Sequence, residues 1–296
     1  MNNPNKNSLG ERRKKARRRE EWRCRLYFLC LCTFTACVMA CVCIGIKWYR
    51  QSQVNKALQA EKKATVLNSS QTGSETEPEK IQIEPEQVKS PQILEEYRNL
   101  YEQNNDFIGW LSIEDTIIDY PVMQTPEDEN QYLYLDFYGN ENKNGCLVMD
   151  TDAVVGNGTA VQDYLNGTAP STNLIIHGHT MKSGQMFGNL DLYKDEDYGK
   201  AHNLICFDSL YEHREYELLA VFYSQVYYEQ DQVFKYYKFF QADTPEEFDY
   251  WYENIIEMSL YDTGVTAEFG DEFITLSCCA YHVEDGRFVV VGKRME

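Results

Sequence analysis

Cys279, Arg287 and His179 are the side chains of this chain whose types and spacing suggest chemistry. Ile274-Thr275-Leu276-Ser277-Cys278-Cys279 reads as a short apolar β-strand that ends in a thiol, and Phe273 extends its apolar run. Asp285-Gly286 is a turn signal, after which Arg287-Phe288-Val289-Val290-Val291 reads as the next strand. If these strands lie side by side, the last residue of one neighbours the first of the other, and a guanidinium stands beside a cysteine. The thiolate is the nucleophilic form of cysteine, and a fixed positive charge favours it. The same arginine is suited to stabilise the oxyanion formed when a thiolate attacks a carbonyl. Asn173-Leu174-Ile175-Ile176-His177-Gly178-His179-Thr180 is a second apolar strand, ending in histidine and running into a loop with Lys182, Ser183 and Gly184. A cysteine that cleaves an amide needs a partner to protonate the departing amine, and histidine is the usual one. Strand-end Cys279, His179 and Arg287 facing one cleft point to cysteine-based acyl transfer.

The elements that must position these residues are short apolar runs separated by turns. Candidate strands cover 109–113, 117–122, 145–149, 173–177, 204–208, 214–223, 272–277 and 287–293. Eight short strands predict a mainly β fold, a closed or nearly closed β-barrel, rather than βαβ units. Ile93, Leu94, Tyr97, Leu100 and Tyr101 recur at helical spacing and open the folded domain with a helix. A second helix starts at Thr244-Pro245-Glu246-Glu247, a capping box with proline at the first helical position. Its apolar face is Phe248, Trp251, Ile255 and Met258, and it precedes the nucleophile strand.

At these residues the chain resembles the sortases, membrane-anchored cysteine transpeptidases of Gram-positive bacteria. The Thr-Leu-Ser-x-Cys strand, the arginine opening the following strand and the Gly-His after an apolar strand carry the resemblance. Asp106-Phe107-Ile108-Gly109-Trp110-Leu111, Thr116-Ile117-Ile118-Asp119-Tyr120-Pro121-Val122-Met123-Gln124 and Asn144-Gly145-Cys146-Leu147-Val148-Met149-Asp150 look like class B in particular. The resemblance covers residues 90 to 296. It implies an eight-stranded sortase-like barrel. It also implies that Cys279 is the nucleophile, His179 the general acid/base and Arg287 the oxyanion or substrate-binding residue. Ser277, Leu133 and His177 are implied substrate contacts, Leu133 lining the pocket for an apolar residue of the sorting motif. The expected partners are a surface-protein sorting-motif peptide and an amine acceptor from peptidoglycan or pilin. No metal or organic cofactor is required. Alternatives are a pilin-polymerising sortase, a membrane-anchored cysteine peptidase of hydrolase type, and a catalytically silent binding module on the same barrel.

Cys278 departs from the family pattern, which has threonine before the nucleophile. Side chains alternate across a strand, so if Cys279 faces the cleft, Cys278 faces the core. A vicinal disulfide fits disulfide geometry poorly. His177, His179, Cys278 and Cys279 have the residue types of a zinc site, but adjacent cysteines are poor co-ligands on one strand and Arg287 opposes a cation. Lys293 and Arg294 compete for the cationic role but sit at the far end of the last strand, where they read as a solvated terminus.

The first 25 residues carry ten basic and three acidic side chains, and residues 26–46 then run 21 positions without a charge. That length crosses a bilayer as a helix, and Trp22, Trp48 and Tyr49 flank it as interfacial aromatics. The basic flank predicts a cytoplasmic N-terminus and an extracellular remainder, a single-pass protein of the cell membrane. A cleaved signal peptide is the competing reading, because Val38-Met39-Ala40-Cys41 resembles a lipoprotein processing site. The expected organisation is a basic tail (1–25), a transmembrane helix (26–46), a polar stalk (47–90), helical in part over 54–64, and a catalytic domain (91–296).

Of 28 basic and 47 acidic side chains, the first 50 residues hold twelve and three; the remainder holds 16 and 44, a net of −28. Such a surface is a poor partner for nucleic acid. Six of the ten cysteines lie in or beside the apolar span, leaving Cys146, Cys206, Cys278 and Cys279 outside it. That is too few for a disulfide scaffold.

Overall fold

The computed structural model describes residues 5–72, 91–128, 130–157 and 168–295. Residues 73–90 of the expected stalk lie outside the described residues. The chain divides into two compact units, Met1–Ala57 and Leu58–Glu296. Helix α1 (Asn5–Thr72) contributes to both.

In the first unit, Arg25–Ile46 is a 22-residue stretch with a mean hydropathy of 2.4, none of it buried against protein. Leu26, Phe28, Leu31, Phe34, Met39 and Ile44 are all exposed. By length and composition this stretch can cross a bilayer.

The second unit begins at Leu58, upstream of residue 91 where the sequence reading starts the folded domain. Leu58 is fully buried, and the Gln59 side-chain amide donates to the Asp119 carbonyl at 3.0 Å. Lys62 Nζ lies 3.4 Å from Asp208, 5.2 Å from the centre of the Tyr97 ring and 5.1 Å from that of Trp110. Tyr97 and His213 also contact Asp208. One buried leucine and one lysine seated between two aromatic rings dock a segment whose composition is otherwise that of a linker.

The strands are β1 (Phe107–Ser112), β2 (Asp119–Met123), β3 (Leu147–Met149), β4 (Asn173–Gly178), β5 (Leu204–Ser209), β6 (Glu215–Gln225), β7 (Phe273–Cys279) and β8 (Gly286–Arg294). They close into a barrel in the order β1-β2-β3-β4-β7-β8-β6-β5. All eight coincide with the expected runs to within a few residues. The helices are α2 (Glu95–Gln103), α3 (Glu196–Ala201) and α4 (Pro245–Met258); the sequence reading does not anticipate α3.

Alternation along the strands divides the core in two. Leu174, Ile176, Ile274, Leu276, Phe288 and Val290 belong to the cluster inside the barrel. Phe273, Val289 and Val291 join Phe248, Trp251 and Ile255 of α4 in a second cluster on the outer face. The unbroken run Phe288-Val289-Val290-Val291 is therefore apolar because both faces of β8 are covered. Helix α4 is capped as expected: the Thr244 hydroxyl accepts from the Glu247 backbone N–H at 3.3 Å.

Leu58→Ala is expected to lower the stability of the compact unit by about 2–3 kcal/mol. Denaturant unfolding in detergent measures it as a lower midpoint at constant slope. An unmoved midpoint would mean that this helical segment is not part of the cooperative unit.

Candidate active site

Strands β4 and β7 run parallel, with His177 beside Ser277 and Gly178 beside Cys278. The next residues, His179 and Cys279, therefore emerge from the sheet at one level. Strand β8 is antiparallel to β7 and starts at this same rim, where Arg287 stands directly opposite Cys279. Register alone brings the three sequence-derived residues to one end of three adjacent strands.

The two neighbouring cysteines face opposite ways. Cys278 is 2% exposed and belongs to the barrel core, whereas Cys279 is exposed. Burial pushes the Cys278 thiol up to about 12, partly opposed by the Thr180 hydroxyl and the Arg287 charge. At neutral pH Cys278 is a protonated, apolar-facing thiol. Cys146, Cys206, Cys278 and Cys279 are all free, so neither a vicinal nor a Cys146–Cys206 disulfide is present.

His179 is held from the β2–β3 loop. Its Nε2 donates to the Leu133 carbonyl at 2.8 Å, and its ring lies 5.4 Å from that of Tyr134. A carbonyl only accepts, so Nε2 carries a hydrogen and Nδ1 is left as the nitrogen that takes and gives a proton. Leu133, expected to line an apolar pocket, is half-buried and meets the histidine through its backbone. The 3-10 turn Gln131–Leu133 is fixed by Tyr132, whose hydroxyl donates to Asp106 at 2.9 Å and accepts from Asn104 at 2.8 Å. Gly145 lies against this turn with φ +61°, and a Cβ there would stand 2.3 Å from the Leu133 oxygen. The glycine is what lets the His179-binding carbonyl come so close.

His177 is half-buried, with Nε2 3.1 Å from Asp150 Oδ2. Ser277 is 1% exposed, and its hydroxyl shares a hydrogen bond of 2.7 Å with Tyr236. Burial raises the Tyr236 phenol, which stays protonated. Arg287 folds onto its own turn, with Nη1 donating to the carbonyls of Asp285 and Gly286 at 3.2 and 3.1 Å. Lys293 and Arg294 are not a solvated terminus: Lys293 pairs with Asp271, and Arg294 with Glu212 and Glu272. Among the described residues, no three His, Cys, Asp or Glu side chains are grouped to hold a metal ion.

Sequence reasoning gave no individual role to four residues that touch this constellation: Tyr134, Asp150, Thr180 and Tyr236. Thr180 follows the histidine in sequence and was available as a signal. Tyr236 comes from a long irregular segment with no periodicity to mark it.

No protein-family model matches the chain. Sortase B of Listeria monocytogenes is 33% identical over 206 residues, which span 68% of this chain and 75% of the relative. The chain belongs to the sortase B family. Sortase B of Staphylococcus aureus is 28% identical over 211 residues, with the same coverage of 68% and 75%. Among solved structures, Bacillus anthracis sortase B in complex with AAEK1 superposes with a TM-score of 0.62 at 25% identity, covering 85% of this chain and 99% of that one. A Staphylococcus aureus sortase B–substrate complex shares the fold, with a TM-score of 0.64 at 20% identity and coverage of 85% and 99%. The eight-stranded barrel is thus the sortase B fold.

Gly145→Ala is expected to break the Leu133–His179 hydrogen bond and to cost at least about 1 kcal/mol of stability. NMR of the imidazole checks it: the His179 ring resonances shift. Unmoved resonances would show that the turn gives way without disturbing the histidine.

Proposed function

We propose that this sortase is a membrane-anchored cysteine transpeptidase. It cleaves a C-terminal sorting motif of surface proteins through a thioacyl intermediate on Cys279, then transfers the acyl group to a cell-wall amine. The observation that carries this reading is the common rim, where exposed Cys279 faces Arg287 across the β7–β8 ladder beside the end of the His179 strand. The solved relatives supply the ligand classes: one Staphylococcus aureus sortase B structure is a substrate complex, and another sortase B structure is complexed with triglycine.

The Cys279 thiolate attacks the carbonyl carbon at the scissile bond, and the carbonyl oxygen becomes an oxyanion. Arg287 stabilises that charge. Its two backbone hydrogen bonds use Nη1 alone, and Nη2 and Nε are the donors it offers. Protonated His179 gives the Nδ1 proton to the departing amine as the carbon–nitrogen bond breaks, leaving a thioester. The acceptor amine attacks the thioester and loses a proton to His179; the new amide forms and the thiolate departs. Thiolate and imidazolium must coexist at the start of the reaction.

His177, paired with Asp150, and Leu133 form the substrate-contacting surround, and buried Ser277, bonded to Tyr236, backs it from beneath. The acceptor is an amine of peptidoglycan or of a pilin. The apolar span of α1 holds the enzyme in the cell membrane, with the basic N-terminus in the cytoplasm and the barrel outside. The acidic remainder of the chain argues against a nucleic-acid partner.

Intact mass of the enzyme with sorting-motif peptides tests this. An acyl adduct is expected on wild type and on Cys278→Ser, and none on Cys279→Ala. Added amine is expected to convert the adduct to ligated product. Adduct on Cys279→Ala would overturn the assignment, and release by water alone, indifferent to amine, would make the enzyme a peptidase.

A further inference from the structure

We propose that the Thr180 hydroxyl is a positioning group that ties the histidine segment to the nucleophile. The proposal rests on the reading of His179 and Cys279 as the reacting pair.

The β4–β7 ladder holds the pairs up to Gly178 and Cys278 and stops there. His179 and Cys279 lie one step beyond the last rung, where no backbone ladder fixes their separation. Thr180 Oγ1 donates to the Cys279 carbonyl at 2.5 Å, a bond between residues 99 positions apart in sequence. It stands where the next rung would be. On the histidine side, the segment after β4 is bound to itself: the Phe187 N–H donates to the His179 carbonyl at 3.1 Å, Thr180 bridges Met186, and Gly184 N–H donates to Met181 at 2.9 Å. A small self-contained loop thus carries the base, and the threonine hydroxyl is its tie to the end of β7.

Two measurements test it. The first is the rate of Cys279 alkylation by iodoacetamide between about pH 5 and 9, which spans the usual histidine and cysteine titrations and needs no substrate. The second is kcat and KM for peptide transfer. Thr180→Val keeps the shape and loses the hydrogen bond; it is expected to lower kcat about tenfold with little change in KM, as for a group that acts only in positioning the reacting atoms. The pH profile of alkylation is expected to change with it. Thr180→Ser is expected to restore both. If Thr180→Val unfolds, Thr180→Ala against Thr180→Ser carries the same comparison. Wild-type kcat and an unchanged profile in Thr180→Val would overturn the proposal, as would a serine variant no better than valine. If the variants change the alkylation profile while the wild-type enzyme turns over no peptide, the transpeptidase reading is overturned and the Thr180 tie stands.

Discussion

The parallel pairing of β4 with β7 is the constraint on which the site depends. Parallel neighbours end at the same edge, so a histidine at the end of one and a cysteine at the end of the other need no loop to bring them together. Antiparallel β8 then begins at that edge and contributes Arg287. A one-residue slip in either pairing would turn the thiol into the core and Cys278 outward, because the side-chain period is two. The apolar residues of β7 prevent the slip: Ile274 and Leu276 occupy the barrel interior, and Phe273 packs under Trp251 with ring centres 4.7 Å apart. The hydrophobic core therefore selects which of two adjacent thiols meets solvent.

Much of this was legible in the sequence, for a physical reason. Strand-end motifs report local identity and period, and period fixes face. The apolar runs located all eight strands, and alternation alone assigned Cys278 and Cys279 to opposite faces. Class membership followed from motifs in order, since Asp106–Leu111 and Asn144–Asp150 are stretches whose spacing carries family identity. Contacts between distant segments were not legible. The Leu133 carbonyl on His179 and the Tyr236 hydroxyl on Ser277 join loops to strands across 46 and 41 positions, and neither residue type nor periodicity marks them. The start of the compact unit escaped for a related reason. A docked helix held by Leu58 and one caged lysine has the composition of a linker, and only the aromatic rings of Tyr97 and Trp110 reveal that it is bound.

The outer face of β7 shows how a polar site survives beside a packed sheet. Residues 273, 275, 277 and 279 share that face. Phe273 is covered by α4, and Thr275, also buried, donates to the Asn173 side chain at 2.8 Å. Ser277, buried again, is matched by Tyr236. A buried hydroxyl without a partner would cost a few kcal/mol, and each of these has one. Cover ends at Cys279, which is exposed. Apolar contact gives way to satisfied hydroxyls and then to an open thiol along one strand. The shift from apolar to reactive surface is thus made within three alternate residues, without leaving a buried polar group on this row unpaired.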